Sequence, residues 1–107
     1  MDLDHFRRTA LALPEVTEEP HHHFSSFRVA KKIFVTLPPG DEFVHVFVAE
    51  EDRQRAMALE PAACEALHWG KKVVGLRLAV GKISQDLAEE LLRIAWRDKA
   101  PKNLPRL

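Results

Sequence analysis

The chain has little cysteine, no net charge and no long hydrophobic run, and each of these absences excludes a class of protein. Its only cysteine, Cys64, cannot form an internal disulfide, which favours a reducing cytoplasm over a secreted, disulfide-stapled domain. The opening MDLDHFRR lacks the apolar core of a signal peptide, and no later segment is apolar over the length of a bilayer. We therefore expect a soluble, cytoplasmic protein that does not bind a membrane.

The balance of charge hides an uneven distribution. Sixteen basic residues match sixteen acidic ones, which argues against an obligate nucleic-acid binder. Residues 20–40, however, contain three basic residues and no acid, and residues 66–85 contain four basic residues and no acid. Positive charge is therefore concentrated on predicted strands and their turns, while acids gather at helix starts, where they favour the helix dipole.

The sequence also lacks the patterns of a catalytic or metal site. In an extended segment His21 and His23 would point together, but no Cys-x-x-Cys or spaced carboxylate–histidine motif supplies further ligands. Cys64 has no neighbouring arrangement that marks a nucleophile, so a small buried thiol is the better interpretation. No GxGxxG or GxxxxGK[ST] phosphate-binding pattern occurs. We expect no metal, no cofactor and no enzymatic activity.

The stretch over residues 24–37 is the predicted centre of the fold. Residues 24–29 and 33–37 are two runs of β-branched and aromatic residues that meet at Ala30-Lys31-Lys32, a pattern typical of an antiparallel hairpin. A tight two-residue turn needs positive φ, which Ala and Lys resist by roughly 1–2 kcal/mol. We therefore expect a bulged or three-residue connection.

Hydrophobic periodicity and capping residues predict the remaining elements. These are a helix to Leu13, a polar connection over 15–20, a strand at 43–48, a helix at 50–59, strands at 67–69 and 73–80, a helix at 85–99 and an extended basic tail at 100–107. The order is helix, three strands, helix, two strands, helix. It predicts one α+β domain over residues 1–107, a two-layer structure with an antiparallel sheet and helices on one face.

The predicted sheet has two apolar faces. The residues expected to share the core face are Ile33, Val35, Leu37, Val44, Val46 and Val48. Leu76 and Leu91 should be buried against the same face. The residues expected on the other face are Phe34, Phe43, His45, Phe47 and Arg77. Aromatic rings beside a cation suit base stacking or a homodimer interface. Alternatively, the second helix or the C-terminal tail covers this face.

Several short motifs, in this order and spacing, resemble the MmcQ/YjbR family of small bacterial proteins. They are Ala12-Leu13-Pro14, Glu18-Glu19-Pro20-His21, Phe27-Arg28-Val29, Lys32-Ile33-Phe34, residues 74–78, Ala95-Trp96-Arg97 and Ala100-Pro101-Lys102. The chain departs from the family at Val73, where an aromatic residue is expected, and in the Ala30-Lys31 turn, which lacks glycine. The resemblance implies a secretion-chaperone-like antiparallel α+β fold and no catalytic residues. Proteins of this family are commonly labelled DNA-binding, because their hairpins look like paired wings.

Two functions of different kinds therefore remain open. The first is a non-enzymatic module that contacts DNA at its hairpin tips through Arg28, Lys31, Lys32, Lys71 and Lys72. The second is a protein-interaction or chaperone-like module that uses the aromatic face to bind a second copy or another protein. Paired lysines also keep turns soluble, which is the plainer interpretation of the tips. Whether the two lysine pairs project in the same direction distinguishes these hypotheses.

Overall fold

A six-stranded antiparallel sheet, with helices against one face, forms the framework of the computed structural model, which describes residues 1–104. The elements in chain order are α1 (Leu3–Ala12), β1 (Val16–His21), β2 (Phe24–Val29), β3 (Lys32–Leu37), β4 (Phe43–Val46), α2 (Glu50–Leu59), β5 (Cys64–Trp69), β6 (Lys72–Ala79) and α3 (Gln85–Lys99). The strands lie in the order β1-β2-β3-β4-β6-β5. The predicted fold class, an antiparallel α+β domain, is confirmed.

Strand β1 is an addition to the predicted order, since the sequence suggested only a polar connection over residues 15–20. β1 pairs with β2 along its whole length, from Val16 opposite Val29 to His21 opposite Phe24. The strand has no apolar alternation, and three of its six residues are exposed. It lies at the edge of the sheet, the position in which a strand tolerates a residue such as Pro20.

The β2–β3 hairpin closes with a tight turn, so the expected bulged or three-residue connection is wrong. Ala30 and Lys31 have φ values of 50° and 68°, and Val29 pairs directly with Lys32. Positive φ at both central residues is the pattern of a type I′ turn, whose twist matches that of the flanking strands. Pairing along the two strands therefore imposes the turn, although neither residue favours it.

A β-bulge does occur in this hairpin, but it lies within the strands. The pairing shifts between Phe27 opposite Val35 and Arg28 opposite Ile33, which leaves Phe34 unmatched. Phe34 is fully buried, whereas Ile33 lines a groove on the other side of the sheet. The predicted core face therefore loses Ile33 and the predicted aromatic face loses Phe34. A period-two pattern cannot show this exchange, because one inserted residue reverses the alternation.

Helix α3 covers the centre of the sheet and contacts β3, β4 and α1. Its first turn is capped by Ser84, whose hydroxyl accepts a hydrogen bond from the backbone N–H of Leu87 at 3.2 Å. Near its end, the indole N–H of Trp96 donates to the carbonyl oxygen of Pro14 at 3.0 Å. The residues predicted to be buried between the sheet and this helix, Val46, Leu76 and Leu91, have no exposed surface, and this prediction is confirmed.

The segment that follows α3 turns back on the core. The backbone N–H of Leu104 donates to the carbonyl oxygen of Pro101 at 3.1 Å, and the Leu104 side chain packs against the buried cluster. The predicted extended tail is therefore wrong for residues 101–104, and its remainder, residues 105–107, lies outside the described residues. Within residues 1–104, no helix has both the length and the apolar character needed to cross a membrane.

The packing of α3 on the sheet can be tested at Leu91. We predict that Leu91→Ala lowers the free energy of unfolding by about 2–5 kcal/mol, because truncation leaves a cavity between helix and sheet. A urea melt measures the loss. Leu59→Ala is the control, since the side chain of Leu59 is 59% exposed and its truncation should change stability by less than about 0.5 kcal/mol. A loss near zero at Leu91 would contradict the packing described here.

Candidate functional site

The two hairpin tips lie at the same end of the sheet. Val35 of β3 pairs with Val46 of β4, and Val46 pairs with Leu76 of β6. Both pairings are antiparallel, so β3 and β6 run in the same direction. The turn that precedes each of these strands therefore lies at the same end of the sheet. The β2–β3 and β5–β6 hairpins are centred three strand spacings apart in the sheet, which corresponds to about 14 Å. The four tip lysines predicted from sequence are exposed, and they are Lys31, Lys32, Lys71 and Lys72.

Acidic residues lie at the same end of the molecule but in the helical layer. Helix α2 begins with Glu50, Glu51 and Asp52, shortly after β4 ends. Burial, and then the negative charge of Asp52, raise the pKa of Asp98 near the end of α3. This end of the protein is therefore divided, with lysines on the sheet side and carboxylates on the helix side. An anionic partner would approach the lysines from the sheet side.

Arg28 does not join the lysines at the tip. Its Nε donates to the hydroxyl of Ser26 at 3.0 Å, and its Nη2 donates to the carbonyl oxygen of Pro20 at 3.2 Å. The guanidinium is thus engaged with its own strand and with the edge strand β1. Of the five predicted nucleic-acid contacts, the structure brings the four lysines to one end. Arg28 lies one residue pair behind the β2–β3 tip, with its guanidinium directed to Ser26 and Pro20.

The face of the sheet opposite the helices, here called the open face, carries a groove of about 670 Å³. The residues of α2 and residues 100–104 do not line this groove, so these segments leave it uncovered. The lining residues that the sequence predicted for this face are His45 and Phe47. Those it did not predict include His21, Phe24, Leu67, Trp69, Lys72 and Lys99. Trp69 is the most exposed aromatic residue of the face, at 61%.

Aromatic and imidazole rings make up much of the groove lining. The ring of Phe47 lies 5.5 Å from that of Trp69, and the ring of Phe24 lies 6.0 Å from that of His45, measured between centroids. The Nδ1 atom of His45 is 3.3 Å from the hydroxyl of Thr36. Burial, and then the positive charge of Arg77, lower the pKa of His45, so its ring is neutral at pH 7.

Arg77 and Phe43, the other predicted residues of the open face, lie beside the groove. The guanidinium carbon of Arg77 is 3.7 Å from the ring centroid of Phe43, which is a cation–π contact. Nη1 of Arg77 also lies 3.7 Å from the carboxylate of Glu65. Its Nε is buried without a hydrogen-bond partner among the described residues. Arg77 therefore has both an aromatic and an acidic neighbour on the open face.

Strand β6 approaches β4 closely at Gly75. A Cβ atom at this position would collide with the carbonyl oxygen of Val46 and lie 3.1 Å from the Cα atom of Phe47. Any larger residue would therefore force the backbone at Val46 and Phe47 to shift. The absence of a side chain at Gly75 permits the close pairing that positions Phe47 on the open face.

The histidine run has a different geometry from the one expected. His22 has a φ of 58° and lies in the turn between β1 and β2, so His21 and His23 do not lie along one extended segment. Within residues 1–104, no group of three or more His, Cys, Asp or Glu side chains is arranged to hold a metal ion. His21 and His22 instead line the groove.

Cys64 lies on the helix side of β5, away from the open face. It is buried, and it pairs in the sheet with the core residue Leu78. Burial, and then the nearby charge of Glu60, raise the pKa of its thiol to about 11. The thiol is therefore protonated at neutral pH, as expected for a small core residue.

This arrangement defines a class of small two-layer α+β domain, in which helices cover one face of an antiparallel sheet and leave the other face open. The family model of YjbR matches residues 11–98, and the chain belongs to the YjbR family. The resemblance drawn from the sequence motifs is thereby confirmed. Neither the curated proteins nor the solved structures contain a match to the chain.

The half-buried His45 predicts how stability depends on pH. Because its pKa is lower in the folded protein than in the unfolded chain, the unfolded chain binds the proton more readily. The free energy of unfolding should therefore fall as the pH drops below about 6.5, the ordinary histidine value, towards the pKa of the folded state. Urea melts at about pH 7.5 and about pH 5.5 measure the loss.

Two variants assign this loss to one ring. His45→Gln should reduce the pH dependence, whereas His23→Gln, on an exposed turn residue, should leave it as in the wild type. An unchanged pH dependence in His45→Gln would contradict the assignment.

Proposed function

We propose that this YjbR-family protein is a non-enzymatic module that contacts DNA through its two lysine tips. The observation that supports the proposal is the position of Lys31-Lys32 and Lys71-Lys72 at one end of the sheet, with no acid in either turn. Their separation of about 14 Å compares with a major-groove width of about 12 Å in B-DNA. The two tips would therefore reach phosphates on either side of one groove.

The proposed contact is with the DNA backbone. Lysine ammonium groups bind phosphates as point charges, and phosphate contacts carry no direct sequence information. Binding should therefore be non-specific and sensitive to salt. The acids of the helical layer lie at the same end as the tips and orient the molecule, because they repel a phosphate backbone from the helix side.

The chemistry of the site supports a binding role rather than catalysis. Cys64 is buried with a raised pKa, and His45 is paired with a hydroxyl, Thr36, rather than with a carboxylate that would make it a stronger base. We also propose a cytoplasmic location. The support is that the chain has a single cysteine, which is buried and unpaired, as is usual in a reducing compartment.

A salt titration of duplex DNA binding tests the proposal. Each phosphate contact contributes about −0.9 to the slope of log affinity against log salt concentration. The double variants Lys31→Ala/Lys32→Ala and Lys71→Ala/Lys72→Ala should each bind more weakly and flatten the slope by up to about two. Their melting temperatures should match that of the wild type, since all four side chains are exposed.

A matched control removes two positive charges elsewhere. Lys82→Ala/Arg93→Ala has the same net charge as each tip variant, and both of its side chains are exposed away from the tips. It should retain the wild-type slope. Wild-type binding weaker than about 10⁻⁴ M at physiological salt would be below ordinary non-specific association and would end the DNA proposal.

A second candidate function is protein interaction through the open face, and the exposure of Trp69 favours it. An exposed Trp packed beside Phe47 is typical of an interface residue. If the partner is a second copy, light scattering should give a dimer mass for the wild type and a monomer mass for Trp69→Ser. Leu11→Ser is the control, because Leu11 is also an exposed apolar residue, but on α1. A monomeric wild type at high concentration would exclude the homodimer.

A further inference from the structure

The groove on the open face has the size and lining of a small-molecule site. Its volume of about 670 Å³ falls within the range of roughly 300–1,000 Å³ that is usual for ligand pockets. Three rings, those of Phe24, Phe47 and Trp69, provide flat apolar surface. Thr36 and the neutral ring of His45 add a few polar groups between them. Flat, mostly apolar walls of this kind suit an aromatic ligand.

The positive charge of the groove lining favours a ligand with a negative charge. Lys72, at the start of β6, and Lys99, at the end of α3, both line the groove, and no Asp or Glu does so among the described residues. Within residues 1–104, no carboxylate lies within 4 Å of either ammonium group. Two lysines from different elements of the described structure thus line one mostly apolar groove, and neither forms a salt bridge with a described carboxylate.

We propose that this groove binds a small aromatic organic anion, such as an aryl carboxylate or sulfonate. Its rings would lie against Phe47 and Trp69, and its acidic group would be held by Lys72 and Lys99. A second copy of the chain is a poorer occupant, because the groove lining contains no acidic residue that could pair with Lys72 and Lys99 of the other copy. This site does not rest on the proposed DNA contact, since the two share Lys72 but Lys31, Lys32 and Lys71 belong to the tips alone and Lys99 to the groove alone.

A pair of probes that differ by one charge tests the proposal. Anilinonaphthalenesulfonate is an aromatic anion, and phenylnaphthylamine has the same rings without the sulfonate. Fluorescence titration of the folded protein should show one sulfonate probe bound per chain, with a Kd of about 10–100 µM. The neutral probe should bind at least about fivefold more weakly, because it lacks the group that the lysines attract.

Three lysine variants separate the groove from the hairpin tip. Lys72→Met and Lys99→Met should each weaken binding of the sulfonate about three- to tenfold and leave binding of the neutral probe unchanged. Lys71→Met is the matched control, since Lys71 lies next to Lys72 in the chain but does not line the groove. It should leave the affinity for both probes unchanged. Trp69→Ser should weaken both, because it removes apolar surface that both probes use.

The two indole N–H resonances report where the probe binds. The resonance of Trp69 should shift on addition of the sulfonate, whereas that of Trp96, which is buried and donates to Pro14, should not. Equal affinity for the two probes, equal losses in Lys71→Met and Lys72→Met, or an unshifted Trp69 resonance would each overturn the proposal. Failure of these tests would leave the salt-dependent DNA binding of the tips unaffected, so the two proposals fail separately.

Discussion

Backbone pairing of a four-residue strand joins the two halves of this protein. β4 pairs with β3 on one side and with β6 on the other, and these contacts unite the β1–β2–β3 meander with the β5–β6 hairpin. The antiparallel direction of both pairings is what sends the two hairpin tips to the same end. The pairing also depends on Gly75, because only a residue without Cβ permits β6 to approach Val46 so closely. The common end of the tips and the position of Phe47 in the groove lining therefore both depend on the pairing of β4.

The helices make the two faces of the sheet unequal. Helix α3 places Leu91 and Trp96 over the centre of the sheet, and burial of these side chains provides much of the hydrophobic stabilisation. No described helix covers the other face, where Phe24, Phe43 and Phe47 are only partly buried. Their recorded ring contacts are with His45, Arg77 and Trp69. A protein that binds through a sheet face needs this asymmetry, since one face must supply stability while the other stays accessible.

The sequence alone predicted the elements whose positions follow from local hydrophobic periodicity and helix capping. Valines alternate from residue 44 to 48, and Ser84 precedes a clear helical stripe. β4 therefore begins at Phe43 as expected, although it ends at Val46 rather than Val48, and α3 spans the expected residues. β1 was not predicted, because its helix-facing side carries a charged residue, Glu18, where an apolar residue would be expected. Hydrogen bonds from Arg7 of α1 and from Ser25 stabilise Glu18 there. Burial alone would raise the pKa of Glu18, but these two bonds and the charge of Arg7 lower it. The bulge at Phe34 and the arrival of Lys99 at the groove depend on tertiary contacts and have no local signal.

The hydrogen bonds of Arg28 have a consequence for self-association. An edge strand presents free backbone groups to which another chain can add a strand, a common route to aggregation. In β1 the carbonyl oxygens of Glu19 and Pro20 already accept hydrogen bonds from the side chains of Ser26 and Arg28. Pro20 also has no N–H to offer. The Glu19–Pro20 part of this edge therefore offers fewer free backbone groups to an added strand.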